Sequence, residues 1–118
     1  MEIKGPAKLL RIFIGESDKI GRTPVYELVV KQAREQHLAG ATAYRGLLGF
    51  GPSARIRSAK ILDLSSDLPM VIEIVDEEKK VDDFIPTLHA LFEKADSGGL
   101  ITVEKVDIIH YVHRSTET

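Results

Sequence analysis

Apolar positions along this chain alternate between a period of two and a helical period, and the changes of period predict its elements. Residues 8–14 (KLLRIFI) read as a strand, with Leu10, Ile12 and Ile14 on one face and Leu9, Arg11 and Phe13 on the other. Both faces are largely apolar, so both are expected to be covered. Residues 15–22 (GESDKIGR) form a turn segment bounded by glycines. Thr23-Pro24 predicts a helix start, with Thr23 capping free N–H groups and Pro24 at the first helical position. Val25, Leu28, Val29 and Ala33 then make one apolar stripe, and Glu27, Lys31, Arg34 and Glu35 fall outside it. Gly40 stands where a left-handed residue would end the helix.

A second strand is predicted over 41–48, running into a Gly49-Phe50-Gly51 corner, and a third over 70–75, entered through Ser65-Ser66-Asp67 and Pro69. The loop between them, about 52–67, exceeds the length of about 12–15 residues beyond which loops in compact domains are usually functional or disordered. Val81, Phe84, Ile85, Leu88 and Phe92 predict a helix over 81–95, with Asp82-Asp83 at its start, where acids suit the dipole. Pro86 demands either a kink or a start late enough to place it in the first turn. Asp96-Ser97-Gly98-Gly99 ends this helix, and 100–112 returns as the last strand, with an apolar core at 108–112 and a polar tail at 114–118.

The order β-α-β-β-α-β is the ferredoxin-like plan: an α+β fold with a four-stranded antiparallel sheet and two helices on one face. The whole chain, 1–118, reads as a single domain. The opposite face of the sheet would carry Leu9, Phe13, Val71, Val75, Ile109 and Tyr111, a patch apolar enough to predict self-association.

Composition changes this picture little. The 118 residues carry a formal charge of −2, which gives no global case for nucleic acid or an anionic membrane. Cysteine is absent, which removes disulfides, thiolate metal sites and cysteine nucleophiles. No apolar run is long enough to span a bilayer, and the expectation is a cytoplasmic, soluble protein. His110 and His113, three apart on a strand, point to opposite faces, and His37 and His89 lack a matching ligand, so no metal site is expected. No nucleophile stands with a base, so no catalytic residues are nominated and no enzyme is expected.

Two glycine elements remain, Gly49-Phe50-Gly51 and Ser97-Gly98-Gly99. Each is either a simple turn or a place where backbone N–H groups meet an anion. Arg45, Arg55, Arg57 and Lys60 are suited to phosphate or to a solvated loop face, with an ion pair as the further reading for Arg45. Arg11 and Glu73 fall on inward positions of strands that should be neighbours, which predicts a cross-strand or intersubunit pair, or a role for Glu73 on a ligand hydroxyl.

These segments together resemble a known family. Residues 40–51 (GATAYRGLLGFG) are similar to the strand that leads into the regulatory T-loop of PII signalling proteins. Residues 68–75 (LPMVIEIV) resemble the strand that leaves it, and 97–103 (SGGLITV) resemble the glycine-rich B-loop and its strand. Over about 7–112 the chain looks most like the uncharacterised PII-like bacterial family with an Arg-Gly-x-x-Gly-Phe-Gly signature. The resemblance implies a homotrimer that binds adenine nucleotide in clefts between subunits and signals through the 52–67 loop to a membrane transporter or an enzyme. It nominates Arg45, Gly49, Phe50, Gly51, Glu73, Ile74, Ser97, Gly98, Gly99 and Leu100 as the nucleotide site. Leu100 replaces the phosphate-binding lysine of PII proteins, Tyr111 and His113 replace two arginines, and the loop has no tyrosine to be uridylylated. ADP, AMP, ATP or a cyclic nucleotide all stay open as ligand, with no other cofactor. The alternative is a structural or ion-tolerance trimer of the related copper-tolerance type, with nothing in its clefts.

Overall fold

The computed structural model describes residue 3, residues 5–60 and residues 67–114. Its elements in chain order are β1 (Gly5–Gly15), β2 (Lys19–Ile20), β3 (Thr23–Pro24), α1 (Val25–Glu35), β4 (Thr42–Arg45), β5 (Leu48–Gly49), β6 (Arg57–Ser58), β7 (Pro69–Glu77), α2 (Glu78–Ala95) and β8 (Leu100–Ile108). β4, β7, β1 and β8 form one antiparallel sheet in that order, and both helices pack on one face of it. This is the ferredoxin-like arrangement that the periodicity predicts. Two small ribbons, β2 with β3 and β5 with β6, are additions to it.

β1 is the centre of the sheet because its alternation serves both layers. Leu10, Ile12 and Ile14 point to the helices and are buried with Ile72 and Ile74 of β7. Val25, Val29 and Ala33 of α1, and Val81, Phe84 and Leu88 of α2, close that core. On the other face, register sets Leu9 opposite Val75, Arg11 opposite Glu73 and Phe13 opposite Val71.

Several boundaries differ from the sequence reading. Thr23 does not cap α1: it pairs in the β2–β3 ribbon, and the Val25 N–H is met instead by the Asp18 carbonyl at 2.8 Å. The left-handed residue after α1 is His37, at φ 61°, and not Gly40. The N–H groups of His37 and Leu38 donate to the carbonyls of Arg34 and Ala33, the paired pattern that seals a helix end. α2 starts at Glu78 and runs through Pro86, so Asp82 and Asp83 lie in its second turn. There they bind Lys8 and Lys79 at 2.7 and 2.9 Å. Pro86 is exposed, which leaves the carbonyl that lost its donor on the water side of a helix held by its buried face.

The second strand is shorter than 41–48: it spans Thr42–Arg45, and residues 48–49 pair within the loop. The last strand ends at Ile108; Ile109 is solvent-exposed, and Tyr111 folds back toward residue 3, whose N–H donates to the Tyr111 carbonyl at 3.4 Å. Residues 61–66 of the predicted loop and 115–118 of the tail lie outside the described residues. Leu10 is fully buried in the middle of β1, so Leu10→Ala is expected to lower unfolding free energy by about 2–5 kcal/mol in urea titration.

Candidate functional site

The register brings the end of β4, the end of β1 and the starts of β7 and β8 to one end of the sheet. Arg45 faces Met70, Gly15 faces Pro69 and Phe13 faces Leu100. Most of the sequence candidates collect there. The Gly46 N–H donates to the Pro69 carbonyl at 2.7 Å, and a β-carbon on Gly49 would stand 3.2 Å from the Pro69 ring. The Pro52 ring lies equally near Gly98, so the start of the loop rests on the 97–99 turn. None of Gly49, Gly51, Gly98 and Gly99 has a positive φ; Gly49, Gly98 and Gly99 serve close packing rather than handedness. Gly99 is the tightest, since a β-carbon there would sit 2.6 Å from Cε2 of Phe92 and 3.0 Å from the Phe13 carbonyl. Ser97 Oγ is buried and has no hydrogen-bond partner among the described residues.

Phe50, Gly51 and Leu100 are exposed. Glu73 and Ile74 lie further along β7. Ile74 has its side chain sealed in the core and only backbone to offer, whereas Glu73 stands on the open face.

Two of the loop's basic candidates, Arg45 and Arg57, are held by acids, while Arg55 and Lys60 are exposed. Nη2 of Arg45 donates to Oε2 of Glu16 at 2.5 Å, and Arg57, half-buried, pairs with Asp67. Asp67 Oδ1 also accepts from the Ser17 N–H at 2.9 Å, and the Glu16 N–H donates to the Leu68 carbonyl at 2.9 Å. Segment 15–18 therefore grips both ends of the loop. On the open face, Arg11 Nε donates to Glu73 Oε2 at 2.7 Å and Arg11 Nη1 to Glu104 Oε1 at 2.8 Å, which realises the predicted cross-strand pair and adds a second acid. Tyr44 is on the same face, and its phenol is raised above the ordinary value of 10.0, first by desolvation and then by the Glu73 charge, with Arg11 opposing.

Beside Glu73 the open face contains a groove of about 290 Å³, lined by Leu9, Ala39, Gly40, Ala41, Thr42, Glu73, Val75 and Tyr111. Leu9 and Val75 are register partners and form an apolar floor. The 39–42 wall is fixed from two sides: Asp76 Oδ2, buried, accepts the Ala39 N–H at 2.8 Å, and the Tyr111 hydroxyl donates to the Ala39 carbonyl at 3.0 Å. Small side chains at 39–41 leave the hollow. Thr42 faces Glu73 across the β4–β7 ladder and, with it, supplies polar side chains to the lining. A flat, mostly apolar group fits such a groove if it presents a donor to the carboxylate.

Of the sequence candidates only Glu73 lines the groove. Leu9, Val75 and Tyr111 were expected on this face as a self-association patch, and the sequence signal for a hollow was the run of small residues Ala39-Gly40-Ala41 beside them. Among the described residues no cluster of His, Asp and Glu is arranged to hold a metal ion, and no helix is long and apolar enough to cross a membrane.

Residues 7–108 match the family DUF190 (Uncharacterized ACR). A UPF0166 protein of Aquifex aeolicus is 40% identical over 103 residues, covering 87% of this chain and 93% of that protein. The chain belongs to the DUF190 (UPF0166) family. A UPF0166 protein of Methanocaldococcus jannaschii is 33% identical over 97 residues, covering 82% of this chain and 86% of that one. Among solved structures the fold matches CPII of Thiomonas intermedia K12, a nitrogen regulatory PII-like protein, with a TM-score of 0.67 at 18% identity over 90% of this chain and 91% of that one. That structure of CPII is bound to ADP, AMP and bicarbonate. The DUF190 chain thus has the fold of PII-like proteins.

The two glycine elements are expected to respond unequally to a methyl group. Gly99→Ala must move Phe92 against the Phe13 backbone, so a loss of about 1–3 kcal/mol is expected in thermal unfolding. Gly51→Ala has open space and no positive φ, so it is expected to leave the melting temperature unchanged. For Tyr44, removing the neighbouring negative charge with Glu73→Gln is expected to lower the phenol titration midpoint, read by tyrosine NMR or absorbance above neutral pH. A midpoint that stays or rises would show that Glu73 does not act on it.

Proposed function

We propose that this DUF190 chain is a PII-like regulatory protein that binds an adenine nucleotide with its base in the Glu73 groove and its phosphates toward the 97–99 and 49–51 turns. The observation that carries this reading is the groove itself: an apolar floor of Leu9 and Val75, a backbone wall at 39–42, and one carboxylate able to accept from a hydroxyl or amino group. The nucleotide bound by CPII, on the same fold, supports it. The small Gly98 leaves backbone groups of the 97–99 turn for phosphate oxygens.

In this reading the protein is a homotrimer without enzymatic activity. The open sheet face, with Leu9, Phe13, Val71 and Val75 around the Arg11 ion pairs, is the natural interface, and the groove at its margin becomes a cleft between subunits. The loop is anchored by Arg45–Glu16 and Arg57–Asp67, so a ligand arriving beside those pairs alters the loop that a transporter or enzyme partner reads. The setting is cytoplasmic, with no nucleic acid partner.

Native mass spectrometry is expected to report a trimer. Thermal unfolding of that trimer with adenosine, AMP, ADP, ATP and cyclic nucleotides is expected to show a clear upward shift, since ligand at 100 times its Kd adds about 2.7 kcal/mol per site. Thr42→Phe, an exposed strand position that fills the groove, is expected to remove the shift while the mass stays trimeric. An intact trimer indifferent to every nucleotide would overturn the reading and leave a structural trimer of the copper-tolerance type.

A further inference from the structure

The β5–β6 ribbon carries a surface that neither the groove nor the sheet face uses. Leu47, Leu48, Phe50 and Ile56 are 77%, 69%, 71% and 64% exposed, against 36% and 37% for Phe13 and Val75 on the open sheet face. An apolar cluster left this far out in water marks a contact with something outside the fold.

The ribbon is fixed in a way that keeps these side chains outside. Its register pairs Leu48 with Ser58 and Gly49 with Arg57. Gly49 and Arg57 share the side that meets the domain, at the Pro69 ring and at Asp67. Leu48 and Ser58 share the other side. Phe50 and Ile56, one position beyond the Gly49–Arg57 pair, belong with them by alternation. The Ala59 N–H donates to the Leu47 carbonyl at 2.9 Å, and the Ala54 N–H to the Gly51 carbonyl at 2.8 Å in the turn between the two strands.

The chain as a whole has a formal charge of −2, but the ribbon is locally positive. No acid occurs between Glu35 and Asp63, a stretch that contains Arg45, Arg55, Arg57 and Lys60. Arg45 and Arg57 are neutralised by Glu16 and Asp67, whose own side chains are only 15% exposed. The surplus therefore rests on Arg55 and Lys60, both exposed, the first of them next to Ile56.

We propose that this ribbon is a membrane contact: Leu48, Phe50 and Ile56 enter the interface of an anionic bilayer while Arg55 and Lys60 meet its lipid phosphates. The inference goes beyond the nucleotide reading and holds whether or not the groove takes a nucleotide. Side chains as exposed as these stand apart from their neighbours, so they offer a protein partner no flat patch or groove to seal. A bilayer takes them singly, because its interior is fluid, and its anionic headgroups attract each nearby cation. The contact is peripheral and reversible, since one ribbon brings only a few apolar side chains and two free cations.

The chain has no tryptophan, so Phe50→Trp places a single fluorescent reporter in the ribbon. In buffer the intact protein is expected to show the emission of an exposed indole. On phosphatidylcholine vesicles with about one-third phosphatidylglycerol, that emission is expected to move to the blue and to be quenched by brominated lipid. Flotation of the unaltered protein with the same vesicles is expected to weaken as salt shortens the Debye length below about 10 Å, and to be at least about fivefold weaker on phosphatidylcholine alone. Arg55→Gln combined with Lys60→Gln is expected to weaken it at least about fivefold. Ile56→Ser is expected to weaken it about tenfold. Melting temperatures are expected to stay unchanged, because all three positions are exposed. No flotation with the anionic vesicles, or flotation that neither variant weakens, would overturn the proposal. Emission already blue in buffer and unmoved by vesicles would overturn it in favour of a contact between copies of this chain. Exposed emission unmoved by vesicles would overturn it in favour of a protein partner.

Discussion

The antiparallel pairing of β1 on both of its edges is the constraint from which the rest of this structure follows. With β7 on one side and β8 on the other, every residue from Ala7 to Phe13 lies in both ladders, and the strand has no freedom to slip. A shift by one residue would carry Leu10, Ile12 and Ile14 out of the helix-covered core and bring Arg11 into it. The same register that builds the core therefore sets Arg11 against Glu73 and Glu104 on the other face, and places Leu9 beside Val75 as the floor of the groove.

The groove and the loop anchors collect where that sheet is least regular. β4 is only four residues long, and its exit at Gly46 sends the chain into a loop whose two ends are tied to segment 15–18. The entrance to β4 is as closely held, since the buried Asp76 binds the Ala39 backbone on one side and Tyr111 binds it on the other. A small edge strand fixed at both ends makes a rigid wall beside an open face. That is a good foundation for a ligand site, because the geometry is set by backbone contacts and buried groups rather than by exposed side chains.

Acid–base pairing dominates the chemistry of this end. Arg45 and Arg57 could each have been a phosphate ligand on sequence grounds, yet tertiary contacts give each of them a carboxylate first. An arginine's identity says that it can bind an anion, whereas its partners decide whether that capacity is free. The glycines carry the same lesson. Gly98 and Gly99 suggest unusual backbone angles when read in sequence, but in the fold they are small because Pro52, Phe92 and the Phe13 carbonyl press on them.

What the sequence determined by itself was the layer plan: alternation in β1 and β7 and the helical stripes of α1 and α2 depend on nearest neighbours, so the order βαββαβ and the core at Leu10, Ile12, Val25, Val29, Phe84 and Leu88 were legible. Opposite charges on strands that the topology makes neighbours also made an Arg11–Glu73 pair legible, while the register that sets them face to face, on the open side of the sheet rather than inward, came from the fold. The tertiary structure alone decided the rest. His37 took the left-handed end of α1, α2 ran through Pro86, and Tyr111 folded onto Ala39, since each depends on packing or on contacts far along the chain. The groove was decided the same way, for it is a space between residues 9, 39–42, 73, 75 and 111, and an empty volume has no residue of its own to announce it.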